Sequence, residues 1–100
     1  MTLEQVKELF QTEALKELCR QHEVARLFVF GSTARNEAKA DSDLDLLVSF
    51  TKPQGFFDFC SFELKLERVT RHKVDLVTEN SLSPRFRDEV LHDLEVLYAT

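Results

Sequence analysis

Asp43 and Asp45 stand two residues apart in the stretch DLDLLVSF, and Asp75 sits inside KVDLVT. Both stretches are rich in strand-forming residues, yet strands are depleted in acids. Along the first strand, alternation puts Asp43 and Asp45 on one face and Leu44 and Leu46 on the other. Two carboxylates on one face repel each other. A divalent cation removes that repulsion, and hard oxygen ligands are what Mg²⁺ prefers. A bare Asp-x-Asp is also what a solvated strand end carries, so the pair alone decides little. If the Asp75 strand lies beside it, three acids share one cluster, and the surface-acid explanation must hold three times over.

Gly31 and Ser32 add a second kind of chemistry. Gly31 is one of only two glycines, and it lies where a strand hands over to a helix. Glycine there permits a sharp turn and leaves room for a ligand. Ser32 brings a hydroxyl and a backbone N–H at the start of the helix, where free amides and the helix dipole favour phosphate. Read alone, Gly-Ser fits an ordinary strand–turn–helix with Ser32 as N-cap equally well. Three carboxylates beside such a turn suit two-metal phosphoryl or nucleotidyl transfer. One ion would lower the pKa of an attacking hydroxyl, and the other would steady a triphosphate and its leaving pyrophosphate.

The elements that must hold these residues are legible as periodicities. Thr2 to about His22 reads as one helix, with Leu3, Val6, Phe10, Ala14 and Leu18 in a stripe and a Thr2–Gln5 capping box. Arg26–Phe30 reads as a strand, Ser32 to about Ala38 as a short helix, and Asp43–Phe50 as a second strand. Thr51–Gly55 is a turn with Pro53 and Gly55 as breakers. Phe56 to about His72 reads as a helix and Val74–Thr78 as a third strand. Asn80–Pro84 is a loop, Pro84 opens a last helix through Leu91, and Glu95–Tyr98 is a short terminal strand. The order α-β-α-β-α-β-α-β implies an α/β (α+β) fold with helices packed on one short mixed sheet, in a single domain over residues 1–100.

GSTARNEAKADSDLDLLVSF, followed by KVDLVTE, resembles the motif of the DNA polymerase β-like nucleotidyltransferases. It is similar in particular to the minimal nucleotidyltransferases of prokaryotic toxin–antitoxin pairs. The resemblance runs from about Arg26 to Tyr98. It implies the polymerase β-like nucleotidyltransferase fold and transfer of AMP from ATP to a hydroxyl with two Mg²⁺ ions. It implies that Gly31 and Ser32 hold the β- and γ-phosphates and that Asp43 and Asp45 bind both metals. Asp75 would bind the catalytic metal and help take the proton of the attacking hydroxyl. Arg35 matches the Ala-Arg step as a phosphate or fold-supporting contact. Two positions depart from the pattern: Asn36, where many relatives carry glycine, and Thr70-Arg71, where relatives often turn with Leu-Gly. Asn tolerates left-handed backbone. The resemblance further implies a partner, a helical HEPN-domain ribonuclease toxin modified on tyrosine, with this chain as antitoxin. Neutralising the toxin by binding alone is the alternative. Transfer to a small molecule such as an antibiotic ranks below both, because no acceptor-binding domain is evident.

Composition narrows the field further. With 43% hydrophobic and 31% charged residues, the chain is globular rather than disordered. A net charge of −5 argues against non-specific nucleic-acid binding, which needs a basic surface. Cys19 and Cys60 form no CxxC pair and read as buried reduced thiols. The start MTLEQVKELF has no signal-peptide pattern. No apolar run approaches the roughly 20 residues of a membrane span, so the expected location is the cytoplasm. His22, His72 and His92 lack ligand spacing, Ser32 is in no G-x-S-x-G elbow, and no Walker lysine follows it. The helix from Phe56 carries apolar residues round well over half its circumference, more than one buried stripe needs. Either neighbouring elements bury the excess or it marks a protein interface. The chain is also too short for the second, substrate-gripping domain of larger superfamily members, so either affinity is weak or another polypeptide completes the cleft.

Overall fold

Four strands form one mixed sheet in a computed structural model that describes all 100 residues. The strands are β1 (Val24–Phe30), β2 (Leu44–Phe50), β3 (Val74–Thr78) and β4 (Glu95–Ala99), in spatial order β3-β2-β1-β4. β1 pairs antiparallel with both β2 and β4, while β2 and β3 are parallel. A parallel pair needs a crossover, and α4 (Phe56–Thr70) supplies it. The remaining helices are α1 (Leu3–Leu9), α2 (Glu13–Gln21), α3 (Gly31–Ala34) and α5 (Pro84–His92), with a 3₁₀ turn at Glu79–Ser81. The mixed sheet with packed helices is the architecture the sequence implies.

One face of the sheet is the core. Leu27, Val29, Leu44, Leu46, Val48, Val74, Leu76 and Leu97 point into it from the strands. Val6 and Phe10 from the α1 segment, Leu15, Leu18 and Cys19 from α2, and Phe62 and Leu66 from α4 meet them there. The helical layer therefore consists of α1, α2 and α4, whereas α5 contributes no buried residue.

The first segment is two helices, not the single one its periodicity implies. The chain breaks at Phe10–Thr12. The Thr12 hydroxyl donates to Leu9 O (2.8 Å) and accepts from Leu15 N at 3.5 Å, closing one helix and capping the next. The break lets Phe10 and Leu15 both reach the core, each 1% exposed. The Thr2–Gln5 capping box forms as expected. Helix α3 is shorter than the expected Ser32–Ala38, because Asn36 turns into left-handed backbone (φ 59°) and ends it. β1 starts two residues before Arg26, at Val24.

β3 is an edge strand, and α4 closes that edge with side chains. The N–H of Val74 donates to Glu67 Oε2 (2.9 Å), and that of Leu76 donates to Glu63 Oε2 (3.0 Å). Unpaired edge amides invite pairing with other chains, and two carboxylates here occupy them instead. Glu63→Ala and Glu67→Ala should each lower stability by about 1.5–3 kcal/mol, the range for hydrogen bonds to charged groups. Amide exchange at Leu76 and Val74, respectively, should accelerate. Unchanged protection factors at these two amides would show that the carboxylates do not hold the edge.

Candidate functional site

The register of β2 against β3 places Asp45 directly beside Asp75, with Leu44 beside Val74 and Leu46 beside Leu76. The leucines and valine enter the core, so both aspartates lie on the opposite face. The Leu44 N–H donates to Lys73 O (2.8 Å), fixing the two strand starts side by side. Asp43 precedes the strand and follows a turn in which Ser42 Oγ accepts from Lys39 N (2.9 Å). Asp45 is half-buried, while Asp43 and Asp75 are exposed.

Burial, then the nearby charges of Asp75 and Asp43, push the Asp45 carboxyl up to about 6, with Arg35 partly opposing them. Both neighbouring acids therefore act on Asp45. Their side chains do not close on a single point in this arrangement, and no three acidic, histidine or cysteine groups stand near enough to hold one ion. The backbone spacing nevertheless suits one. Asp45 and Asp75 start from adjacent strands, about 4.8 Å apart, a backbone spacing at which two carboxylates can share one cation. The donor set, carboxylate oxygens on an open face, is the one Mg²⁺ takes.

Gly31 abuts Asp45. Its φ is +73°, and a Cβ there would lie 2.5 Å from Asp45 Oδ2. The backbone conformation favours glycine there, and a Cβ would in addition displace the Asp45 carboxylate. Phe30, just before it, pairs with Asp45 across β1 and β2, so the bend and the acids share one end of the sheet. Ser32 is not the N-cap: Phe30 holds that position, and no side chain caps the helix. The Ser32 hydroxyl and the first α3 amides are thus not committed to a cap. Arg35 is committed elsewhere. Its Nη1 donates to Asp93 Oδ2 (2.7 Å) and its Nε to Glu37 Oε2 (3.2 Å), which raise its pKa further. These two ion pairs tie Arg35 to the loop after α3 and to the end of α5.

Several supporting residues carry no motif. Asn36 Oδ1 accepts from the Leu3 N–H (3.0 Å), tying the N-terminal helix to the loop after α3. Left-handed tolerance is readable at Asn36 from its type; that long-range partner is not. Asp93, which anchors Arg35, and Glu63 and Glu67, which hold β3, sit among ordinary surface charges in the sequence. Of the cysteines, Cys19 is buried, and burial pushes its thiol up to about 12. Cys60 is only partly buried, because it lies on the flank of α4 rather than beneath it. His22 packs on the Phe62 ring (4.9 Å between centroids), and burial lowers its pKa.

The family profile described as polymerase beta, nucleotidyltransferase matches residues 13–100. Protein adenylyltransferase MntA of Thermococcus cleftensis is 39% identical over 98 residues, covering 98% of this chain and 96% of its own. A Methanocaldococcus jannaschii protein, provisionally assigned as a protein adenylyltransferase, is 40% identical over 73 residues, 73% of this chain and 78% of its own. A solved structure provisionally assigned as a minimal nucleotidyltransferase superposes with a TM-score of 0.78 at 41% identity, over 95% of each chain. A chain from the complex of tri-AMPylated Shewanella oneidensis HEPN toxin with MNT antitoxin shares the fold, with a TM-score of 0.67 at 21% identity over 94% of this chain and 73% of that one. No helix is long and apolar enough to cross a membrane. With a profile match over most of its length and relatives of this identity and coverage, the chain belongs to the polymerase β nucleotidyltransferase family.

Proposed function

We propose that the whole chain acts as one minimal transferase that moves AMP from ATP to a tyrosine hydroxyl of a HEPN-domain toxin, and so serves as its antitoxin. The observation that carries the reading is Asp45 beside Asp75 at the Gly31 bend, with Asp43 near enough to act on the Asp45 carboxyl. The adenylyltransferase relatives and the AMPylated toxin in a complex of the same fold support it. Asp43, Asp45 and Asp75 would hold two Mg²⁺ ions, which when bound supply Lewis acidity toward the phosphates and the hydroxyl. Gly31 admits the Asp45 carboxylate to the bend, and Ser32 offers its hydroxyl and amide to the β- and γ-phosphates. Arg35 braces the loop from Asp93 and Glu37. Asp75, exposed at the strand start, receives the hydroxyl proton as the oxygen attacks the α-phosphorus. The bond from the α-phosphorus to the bridging oxygen breaks, and pyrophosphate leaves. A second reading, neutralisation by binding alone, draws on the exposed apolar side of α4.

Incubating the chain with α-labelled ATP, Mg²⁺ and the toxin should label the toxin. Asp43→Ala and Asp75→Ala should each reduce labelling by about a thousandfold or more, the loss of several kcal/mol at the transition state. Labelling that survives both substitutions would sink the catalytic assignment. If cells carrying these variants remain protected without labelling, binding alone accounts for neutralisation.

Asp45 gives a prediction in pH. A carboxyl raised above its unfolded value costs stability once ionised, so the cost is present above about pH 6 and fades as pH falls through that value. In EDTA at pH 8, Asp45→Asn should stabilise the fold by about 1 kcal/mol after allowance for partial exposure, or about 4–8 °C in Tm. The gain should shrink at pH 5. An equal gain at both pH values would mean that ionisation of Asp45 is not its origin. Gly31→Ala should lose about 1–2 kcal/mol from left-handed backbone alone, and its transfer rate should fall because Asp45 must move. A Gly31→Ala protein with wild-type Tm and rate would show that the bend is not constrained.

A further inference from the structure

Helix α4 carries the largest apolar exposure in the chain. Phe57 is 85% exposed, Phe56 75% and Leu64 56%. Phe62 and Leu66 face the core. Phe57, Ser61, Leu64 and Arg68, spaced by four, three and four, form the row that points directly away from it. An open groove between α2 and α4 continues this surface with Ala14, Leu18 and Val69, and Lys65 and Arg68 line both the groove and the outer row.

The charge on this surface is one-sided. Neither Lys65 nor Arg68 is in an ion pair. The acids that border it are already engaged. Glu13 and Glu17 are held by Arg20, and Glu63 and Glu67 are turned to the β3 amides. Asp58 lies about 100° round the helix from Phe57, in the cleft with His22. A chain of net charge −5 thus presents an apolar row edged by two cations with no acidic partner, Arg68 and Lys65, the latter with its Nζ 3.3 Å from His22 Nε2. A second copy would set those cations against themselves. A surface of opposite charge would pair with them and bury the phenylalanines and leucine together.

We propose that the outer face of α4, with the α2–α4 groove, docks the protein acceptor through an apolar surface rimmed by carboxylates; this rests on the reading above that the acceptor is a protein. The end of α4 that carries Arg68 runs on through the turn into β3, where Asp75 stands. Asp75 lies on the other face of the sheet from α4, so an acceptor seated on α4 reaches the acids round the β3 edge.

Calorimetric titration with the purified HEPN-domain protein proposed as acceptor tests the docking, and labelling from α-labelled ATP in the same mixtures tests the transfer separately. Leu64→Glu and Arg68→Glu alter exposed positions, and their Tm should match wild type. Each should weaken the complex at least tenfold, whereas Leu91→Glu, exposed on α5, should leave it unchanged. The wild-type complex should also weaken as salt rises. Absence of a wild-type complex, or undiminished binding by both variants, overturns the docking face. So does a wild-type chain that sediments as a dimer and becomes monomeric with Leu64→Glu, because a second copy then owns the surface. A complex that needs Leu64 and Arg68 but yields no label supports the docking face while refuting transfer. Label that persists in both face variants does the reverse.

Discussion

The parallel register of β2 and β3 is the constraint on which the site depends. It sets Asp45 against Asp75, an arrangement that like charges oppose. The acids do not choose this alignment; the other face of the same two strands does. Leu44, Val74, Leu46 and Leu76 are all nearly inaccessible to solvent. A slip of one residue would turn an aspartate into the core and a leucine out of it. Burial of four apolar side chains, each worth about 1.5–3 kcal/mol, outweighs repulsion between two partly solvated carboxylates. The core thus brings the acids together against their own preference.

Helix α4 serves this constraint from several sides at once. Phe62 and Leu66 press on the inner face of the sheet, and Glu63 and Glu67 take the free amides of β3. A helix has about 3.6 residues per turn, so core contacts, edge contacts and an outer row can occupy separate directions. This explains why its apolar residues run so far round the helix. Phe59, Phe62 and Leu66 are core or core-facing, whereas Phe57 and Leu64 are not. The sequence pattern left burial of the excess and an exposed face both open, and the packing leaves four of these side chains, Phe56, Phe57, Leu64 and Val69, in solvent.

Much of the site could be read in the residues because each informative one breaks a local rule. Aspartates in strands and a glycine between strand and helix are local exceptions, and local exceptions are visible in one dimension. The breaks that periodicity does not show depend on three-dimensional partners. Thr12 divides the first helical segment by serving as both a stop and a start, which periodicity alone does not reveal. The turn before β3 shows the same limit. Arg71 takes left-handed backbone (φ 58°) where glycine is the easier choice, and its N–H donates to Glu67 O (2.8 Å). Thr70 Oγ1 also donates to Leu66 O (2.8 Å) and accepts from His72 N (3.3 Å), so the turn closes without glycine. Asn36 solves the equivalent problem after α3 and reaches Leu3 besides. Residue type could suggest tolerance at Asn36, but only the fold supplies the partner.

The position of Arg35 completes the electrostatic argument. It is near enough to Asp45 to lower the carboxyl's pKa, yet its effect comes last, after burial, Asp75 and Asp43. The reason is that its guanidinium is drawn to Asp93 and Glu37. An arginine set directly on Asp45 would make a bidentate pair, relieve the repulsion permanently and fill the place of any exchangeable cation. Holding it one step away keeps the carboxylate oxygens open while the loop remains braced. A domain of this size has about 5–15 kcal/mol of stability in hand. It can carry one under-compensated cluster, and a cluster left in that condition is the one that gains most when a cation or a cation-bearing triphosphate arrives.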